Sequence, residues 1–314
     1  GLTRDIDNEN LVSFIKMIND ARYSQILSID IPSGINADTG SIMGVAVNAD
    51  VTATFMGMKR GMYTHDGLDY SGQIEFNDLD IPSESYEKLG DSDCYKSEHH
   101  LLSARNRNSH KGNFGHVLVI GGDEGYLGAA QMAAEAAMRV GSGLVSVATR
   151  KSHAAQLSIA VPEVMSHGVE SIDELMPLIK RANVIAIGPG LGQSEWAKLL
   201  FARVLESDLP IIIDADGLNL LAEEVQSSPN WVITPHPGEA ARLLKTDVTT
   251  IQSDRFQSAR NLHEKYRGPV VLKGAGSIVT NSRGNLLVCT AGNPGMSTGG
   301  MGDVLTGVIA GLVA

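Results

Sequence analysis

His116-Val117-Leu118-Val119-Ile120 stops at Gly121-Gly122, and an Ala-rich stretch from Gly128 to Arg139 follows. A short apolar run cut off by glycine and followed by a helix former reads as one strand–loop–helix step. The same step recurs downstream. Leu144–Ala148, Val184–Ile187, Pro210–Ile213, Trp231–Ile233 and Val270–Leu272 are short and nearly all apolar, with helical segments between them. A strand apolar at every position is buried on both faces, so these runs predict a mainly parallel sheet with helices on each side. Ser277–Thr280 and Leu286–Cys289, separated by Asn281–Asn285, read as a hairpin.

Upstream, residues 9–22 carry apolar positions at helical spacing. Gln25–Ile31, Val51–Phe55 and Ile74–Phe76 read as strands, the first broken by Pro32-Ser33-Gly34. From 84 to 112 the composition turns polar, which predicts a linker. The 314 residues therefore divide into a small α/β segment and a larger α/β domain. Net charge is −11, with 25 basic and 36 acidic residues, and no basic stripe offsets it. Nucleic acid and anionic membrane surfaces are thus not expected as partners. Of the two cysteines, Cys94 lies in a polar segment and Cys289 reads as a core residue, so no disulfide framework is expected and the chain reads as cytoplasmic. Both ends read as cuts in a longer protein: Gly1 replaces a Met, and residue 314 ends an uncapped apolar helix.

Ligands of open α/β sheets gather outside the carboxyl ends of the strands. Here those ends lead to Gly121-Gly122-Asp123, Gly188-Pro189-Gly190-Leu191-Gly192, Asp214-Ala215-Asp216-Gly217, Thr234-Pro235-His236-Pro237-Gly238-Glu239 and Lys273-Gly274-Ala275-Gly276-Ser277. Glycine after a strand is ordinary turn chemistry. Five such loops bearing Asp, His, Glu and Lys predict an active site at this rim. His236 is stiffened by two prolines and favours ligand contact. Glu239 either opens a helix or steers a magnesium-bound water. Lys273 either neutralises phosphate or snorkels from the strand end. Asp214 and Asp216 alternate on a strand end. No Walker-type phosphate loop is present in the sequence.

Near the end, Gly295-Met296-Ser297-Thr298-Gly299-Gly300-Met301-Gly302-Asp303 runs straight into the apolar stretch Val304–Leu312. Amides converging at a helix N-terminus bind anions. A carboxylate there would repel phosphate, but it is well placed to take a proton from an attacking hydroxyl. Read alone, Asp303 is equally a helix cap.

Taken together these loops, with Ser109-His110-Lys111-Gly112 and Ala291-Gly292-Asn293, resemble the ADP/ATP-dependent NAD(P)H-hydrate dehydratase family over nearly all of residues 103–314. The resemblance implies a three-layer ribokinase-like domain, C-terminally incomplete. Gly1-Leu2-Thr3-Arg4, Ser28–Gly34, Ala49–Phe55 and Lys59-Arg60-Gly61 make residues 1–83 similar to the later part of an NAD(P)H-hydrate epimerase domain, a partial Rossmann-like α/β unit; 84–102 then form the linker.

The implied reaction phosphorylates the hydroxyl of a hydrated nicotinamide ring with ADP, or ATP, and then expels phosphate to restore NAD(P)H. The resemblance implies Asp303 as base and the amides of Gly300, Met301 and Gly302 as anion hole. It implies Lys273, Gly274, Ala275, Gly276, Ser277 and Gly302 as nucleotide contacts. Ala129, Gly190, Gly192, His236 and Asp303 would hold the hydrate. It further implies Mg2+, for which Glu239 is the candidate ligand on its own reading above. In the epimerase part Asp30 would touch hydrate and Ser33 would bind K+, although epimerase activity is expected to be lost in this fragment. A homo-oligomer is expected by analogy. A small-alcohol kinase of the same fold is the rival enzyme, and a non-catalytic binding module is the rival for the N-terminal part.

Overall fold

The computed structural model describes residues 4–21, 25–87, 94–97 and 102–314. Its strands, in chain order, are β1 (Leu27–Ile29), β2 (Val51–Phe55), β3 (Gln73–Asn77), β4 (Cys94–Lys96), β5 (His116–Ile120), β6 (Leu144–Thr149) and β7 (Met165–Gly168). They continue with β8 (Val184–Ile187), β9 (Ile211–Ile213), β10 (Trp231–Ile233), β11 (Val271–Leu272), β12 (Ile278–Thr280) and β13 (Leu286–Val288). The chain forms two compact units. One comprises Gly1–Glu98, Asp247–Arg260 and Leu272–Asn293; the other His99–Thr246, Asn261–Val271 and Pro294–Ala314.

The larger unit holds a six-stranded sheet of order β10-β9-β8-β5-β6-β7, parallel throughout. β8 and β9 are buried at every residue, as strands covered on both faces must be. The chain winds outward from β5 through β6 to β7, returns to β8 beside β5, and then winds the other way. That reversal places the switch point between the carboxyl ends of β5 and β8, where doubly wound sheets open a crevice. β7 was not read from the sequence, because Met165-Ser166-His167-Gly168 lacks an apolar pattern.

Two helices start at this rim. Leu127–Val140 begins after the β5 loop, and Met301–Val313 begins at Gly300. They run side by side in the same direction. Cβ atoms added at Gly307 and Gly311 would collide with the carbonyl oxygens of Ala133 and Ala137, so only glycine permits this approach. Ala130, Ala133, Ala134, Ala137 and Ala310 are fully buried in the core these helices form with the sheet.

The smaller unit holds a parallel three-stranded sheet, β1-β2-β3, and a second sheet of order β11-β12-β13-β4. β12 and β13 form the expected antiparallel hairpin. β4, inside the stretch read as a linker, pairs parallel with β13. The linker's residues 88–93 and 98–101, and Gly1-Leu2-Thr3, lie outside the described residues. Cys289 is half-buried rather than core. It follows β13, whose Leu286 and Val288 point inward, so alternation turns Cys289 outward with Leu287. Among the described residues no helix is long and apolar enough to cross a membrane.

Candidate active site

At the switch point the loops after β5 and β8 are laced together by backbone. Gly122 N donates to Pro189 O at 3.2 Å, and Asp123 N donates to Gly190 O at 2.7 Å. Gly190 also lies against Tyr126 and Ala129: an added Cβ would stand 3.1 Å from the Ala129 methyl. Ala129, in the first turn of the Leu127–Val140 helix, is therefore next to the Gly190–Gly192 loop. Gly192 N in turn donates to Asp216 Oδ2 at 2.9 Å.

Asp123 anchors this arrangement and was given no role from the sequence. Its carboxylate accepts from Ser194 Oγ at 2.6 Å and from Arg150 Nε at 2.7 Å. Arg150 also binds Glu170 at 2.7 Å and lies over the Trp196 ring. Burial alone would raise the Asp123 pKa; the Ser194 hydroxyl and the Arg150 guanidinium more than offset it and hold the carboxyl below its ordinary value. Glu170 lies 20 residues beyond Arg150, and no local pattern marks the pair. The acidic residue after Gly121-Gly122 was the one visible signal.

The next strand end adds two acids with separate tasks. Asp214 is buried at the N-cap of the Ala215–Glu223 helix, and its Oδ2 accepts from Thr306 Oγ1 at 2.8 Å. Asp216 sits within that helix, not on the strand, because Ala215 takes a positive φ of 46° and starts the turn at once. The Thr306 bond ties the Met301–Val313 helix to the rim. One turn earlier on the same helix stands Asp303, half-buried. Gly300, at φ 89°, caps this helix without any side-chain hydrogen bond. Val304 N donates to Gly300 O at 2.9 Å. The amides of Met301 and Gly302 precede that bond, at the positive end of the helix dipole. The geometry thus supplies backbone donors and a carboxylate within one helical turn, directly after the exposed Pro294–Gly299 segment.

His236 and Glu239 form a capping box. His236 Nδ1 accepts from Gly238 N at 2.9 Å and Glu239 N at 3.3 Å, while Glu239 Oε2 accepts from His236 N at 2.8 Å. The other Glu239 oxygen lies 3.4 Å from His236 Nε2. Glu239 is buried, whereas the His236 ring is half-exposed at the rim. Among the described residues no three His, Cys, Asp or Glu side chains form a group that could hold a metal ion. The carboxylate set does not fit a protein-built magnesium cage.

In the smaller unit, Lys273–Ser277 forms the turn between β11 and β12, with Gly276 buried and Gly274 and Ala275 exposed. Asp30, at φ 70°, is half-buried and ion-paired with Lys59. That ammonium is the main reason its pKa lies below the ordinary value. Both line a cleft of about 540 Å³ with Asp38, Phe55, Met58 and Arg60. Ser33 is exposed, and its carbonyl accepts from Val47 N at 2.9 Å. One hydroxyl does not make a potassium site.

Residues 117–314 match the family described as NAD(P)H-hydrate dehydratase, and residues 1–61 match the YjeF-related protein N-terminus. The bifunctional NAD(P)H-hydrate repair enzyme Nnr of Coxiella burnetii is 51% identical over 92% of this chain and 60% of its own length. The chain thus spans about 60% of the length of the curated relatives it matches. Among solved structures, a ribokinase-like superfamily protein of Enterococcus faecalis matches with a TM-score of 0.62 and 34% identity, over 67% of this chain and 75% of that one. An ADP/ATP-dependent NAD(P)H-hydrate dehydratase of Bacillus subtilis, co-crystallised with ATP/Mg2+, matches with a TM-score of 0.60 and 30% identity, over 68% of this chain and 76% of that one. Matched from Val117 to Ala314, and built on a doubly wound sheet with its loops gathered at the switch point, the chain belongs to the NAD(P)H-hydrate dehydratase family.

Proposed function

We propose that this chain restores hydrated NAD(P)H to NAD(P)H at the expense of a nucleotide phosphoanhydride, with ADP as donor. The observation that carries the reading is Asp303, one turn before the Thr306–Asp214 bond on a helix whose glycine N-terminus has no side-chain cap. Asp303 takes the proton of the ring hydroxyl as its oxygen attacks the terminal phosphorus of ADP. The bond from that phosphorus to the bridging oxygen breaks and AMP leaves. Amides of Gly300, Met301 and Gly302 stabilise the charge on the moving phosphoryl group, which needs positioning and electrostatics above all. The ring carbon–oxygen bond then breaks, phosphate departs with the former hydroxyl oxygen, and loss of a ring proton re-forms the double bond.

Ala129, Gly190, Gly192 and the exposed face of His236 hold the hydrate, and Lys273 to Ser277 hold the nucleotide. Glu239 is committed to the His236 capping box, so a magnesium ion would be held by the nucleotide phosphates and would neutralise their charge there. On the same reading the protein acts in the cytoplasm as a homo-oligomer, and domain limits fall at 1–83, 84–102 and 103–314. Asp30 is engaged by Lys59, and this chain is expected to leave hydrate epimers uninterconverted. Chiral chromatography of an incubated epimer mixture checks that.

The central test is hydrated NADH plus ADP, followed at the reduced-nicotinamide absorbance band. Recovery of absorbance with release of AMP and phosphate is expected. A stable phosphorylated product without recovery would instead favour a small-alcohol kinase.

A further inference from the structure

Arg255 is 1% exposed, and among the described residues no carboxylate is one of its hydrogen-bond partners. Its Nε donates to Thr64 Oγ1 at 3.0 Å and its Nη1 to Gln252 Oε1 at 2.8 Å. Its Nη2 donates to the carbonyls of Leu272 and Lys273, each at 3.3 Å. Burial lowers its pKa to about 10, which leaves the group cationic at neutral pH. A buried guanidinium costs several kcal/mol of desolvation, so its retention without an ion partner among the described residues calls for a reason.

The loop above it supplies one. Gly274, at φ 144°, lies directly over the guanidinium: an added Cβ would stand 2.8 Å from both Nη atoms. The Ala275 and Gly276 carbonyls lie 3.2 Å from Thr64 Oγ1, and Ala275 O also accepts from His65 N. Gly274 O accepts from Ser277 Oγ at 3.0 Å. The carbonyls of Leu272, Lys273, Ala275 and Gly276 are therefore held by Arg255, Thr64 and His65, and that of Gly274 by the loop's own Ser277. Peptide planarity makes N–H and C=O point opposite ways across each bond. Tethering the carbonyls of Lys273 and Ala275 to Arg255 and to Thr64 and His65 thus turns the amides of Gly274 and Gly276 away from those groups. Successive amides presented together make an anion-binding concavity, and a cation beneath raises its potential.

We infer that Arg255, with Thr64, is a positioning residue that fixes the Lys273–Ser277 peptides in an amide-out arrangement for the polyphosphate of the nucleotide. The inference rests on reading that loop as the nucleotide cradle. It also makes the cradle depend on Thr64, which lies outside the matched dehydratase segment.

Calorimetric titration with ADP tests both layers. Arg255→Gln is expected to weaken ADP binding about tenfold, the loss of charge-assisted bonds, and Arg255→Lys about fivefold, since a point ammonium cannot span four acceptors. Thr64→Val, nearly equal in size, is expected to weaken ADP about threefold and carries the test should Arg255→Gln not fold. The hydrate KM is expected to stay within about twofold in each, whereas a merely structural defect would shift both substrates together. Lys273→Ala and Ser277→Ala are the reference variants. If they weaken ADP while folded Arg255 and Thr64 variants do not, the inference is overturned and the cradle stands. If neither reference variant alters ADP affinity, the cradle reading itself fails.

Discussion

At the scale of single residues, the site depends on carboxylates given different environments. Asp303 is half-buried in the first turn of its helix, Asp214 accepts from Thr306, and Asp123 is spent on Arg150 and Ser194. Asp303→Asn keeps the shape and removes the base. ADP affinity is expected to hold within about threefold while kcat falls by about a thousandfold, the range of lost general-base catalysis. Single-turnover kinetics with calorimetry separate the two, and full turnover in the variant would refute the base assignment. Asp123→Ala leaves Arg150 with Glu170 alone and the Ser194 hydroxyl without its acceptor, and is expected to cost about 2 kcal/mol in urea unfolding. The sign of its pH dependence follows from its lowered pKa. The contribution is complete above the ordinary value of 3.8 and fades as pH falls through the folded value. The gap between wild type and Asp123→Asn is thus expected to close on acidification.

At the scale of elements, the seam between Leu127–Val140 and Met301–Val313 decides whether Asp303, the proposed base, is held at the rim. Gly307→Val would drive a branched side chain into Ala133 O and the Ala136 methyl. A loss of about 3 kcal/mol with a parallel drop in kcat is expected, because overpacking displaces the helix as a body. Thermal melts and steady-state rates read it. The strands of the six-stranded sheet were mostly legible in the sequence, since β5, β6, β8, β9 and β10 are apolar at nearly every position. β7 and β4 were not, because Met-Ser-His-Gly and Cys-Tyr-Lys obtain their pairing from neighbours supplied by distant sequence. The loops were legible for a similar reason: glycine after an apolar strand is a local signal. Their tethers were not. Arg150 to Asp123, Thr306 to Asp214 and Arg255 to Thr64 join residues 27, 92 and 191 positions apart.

At the scale of the whole molecule, a net charge of −11 opposes an anionic donor. Any attraction must come from local amides and a few cations, and it acts within about one Debye length. The ADP association rate in stopped flow is expected to stay level or rise between about 0.02 and 0.2 M salt, where a basic site would show a steep fall. The glycine seam has one more consequence. Ala129 and Asp303 stand at the tips of two helices whose shafts touch backbone to backbone, like the jaws of a closed caliper. Loops loosen on warming well before such a contact does. The gap between these tips is therefore set by steel, so to speak, and not by hinges. Heat should erode the grip on the substrates first and the chemical step last, so KM climbs while kcat is still rising.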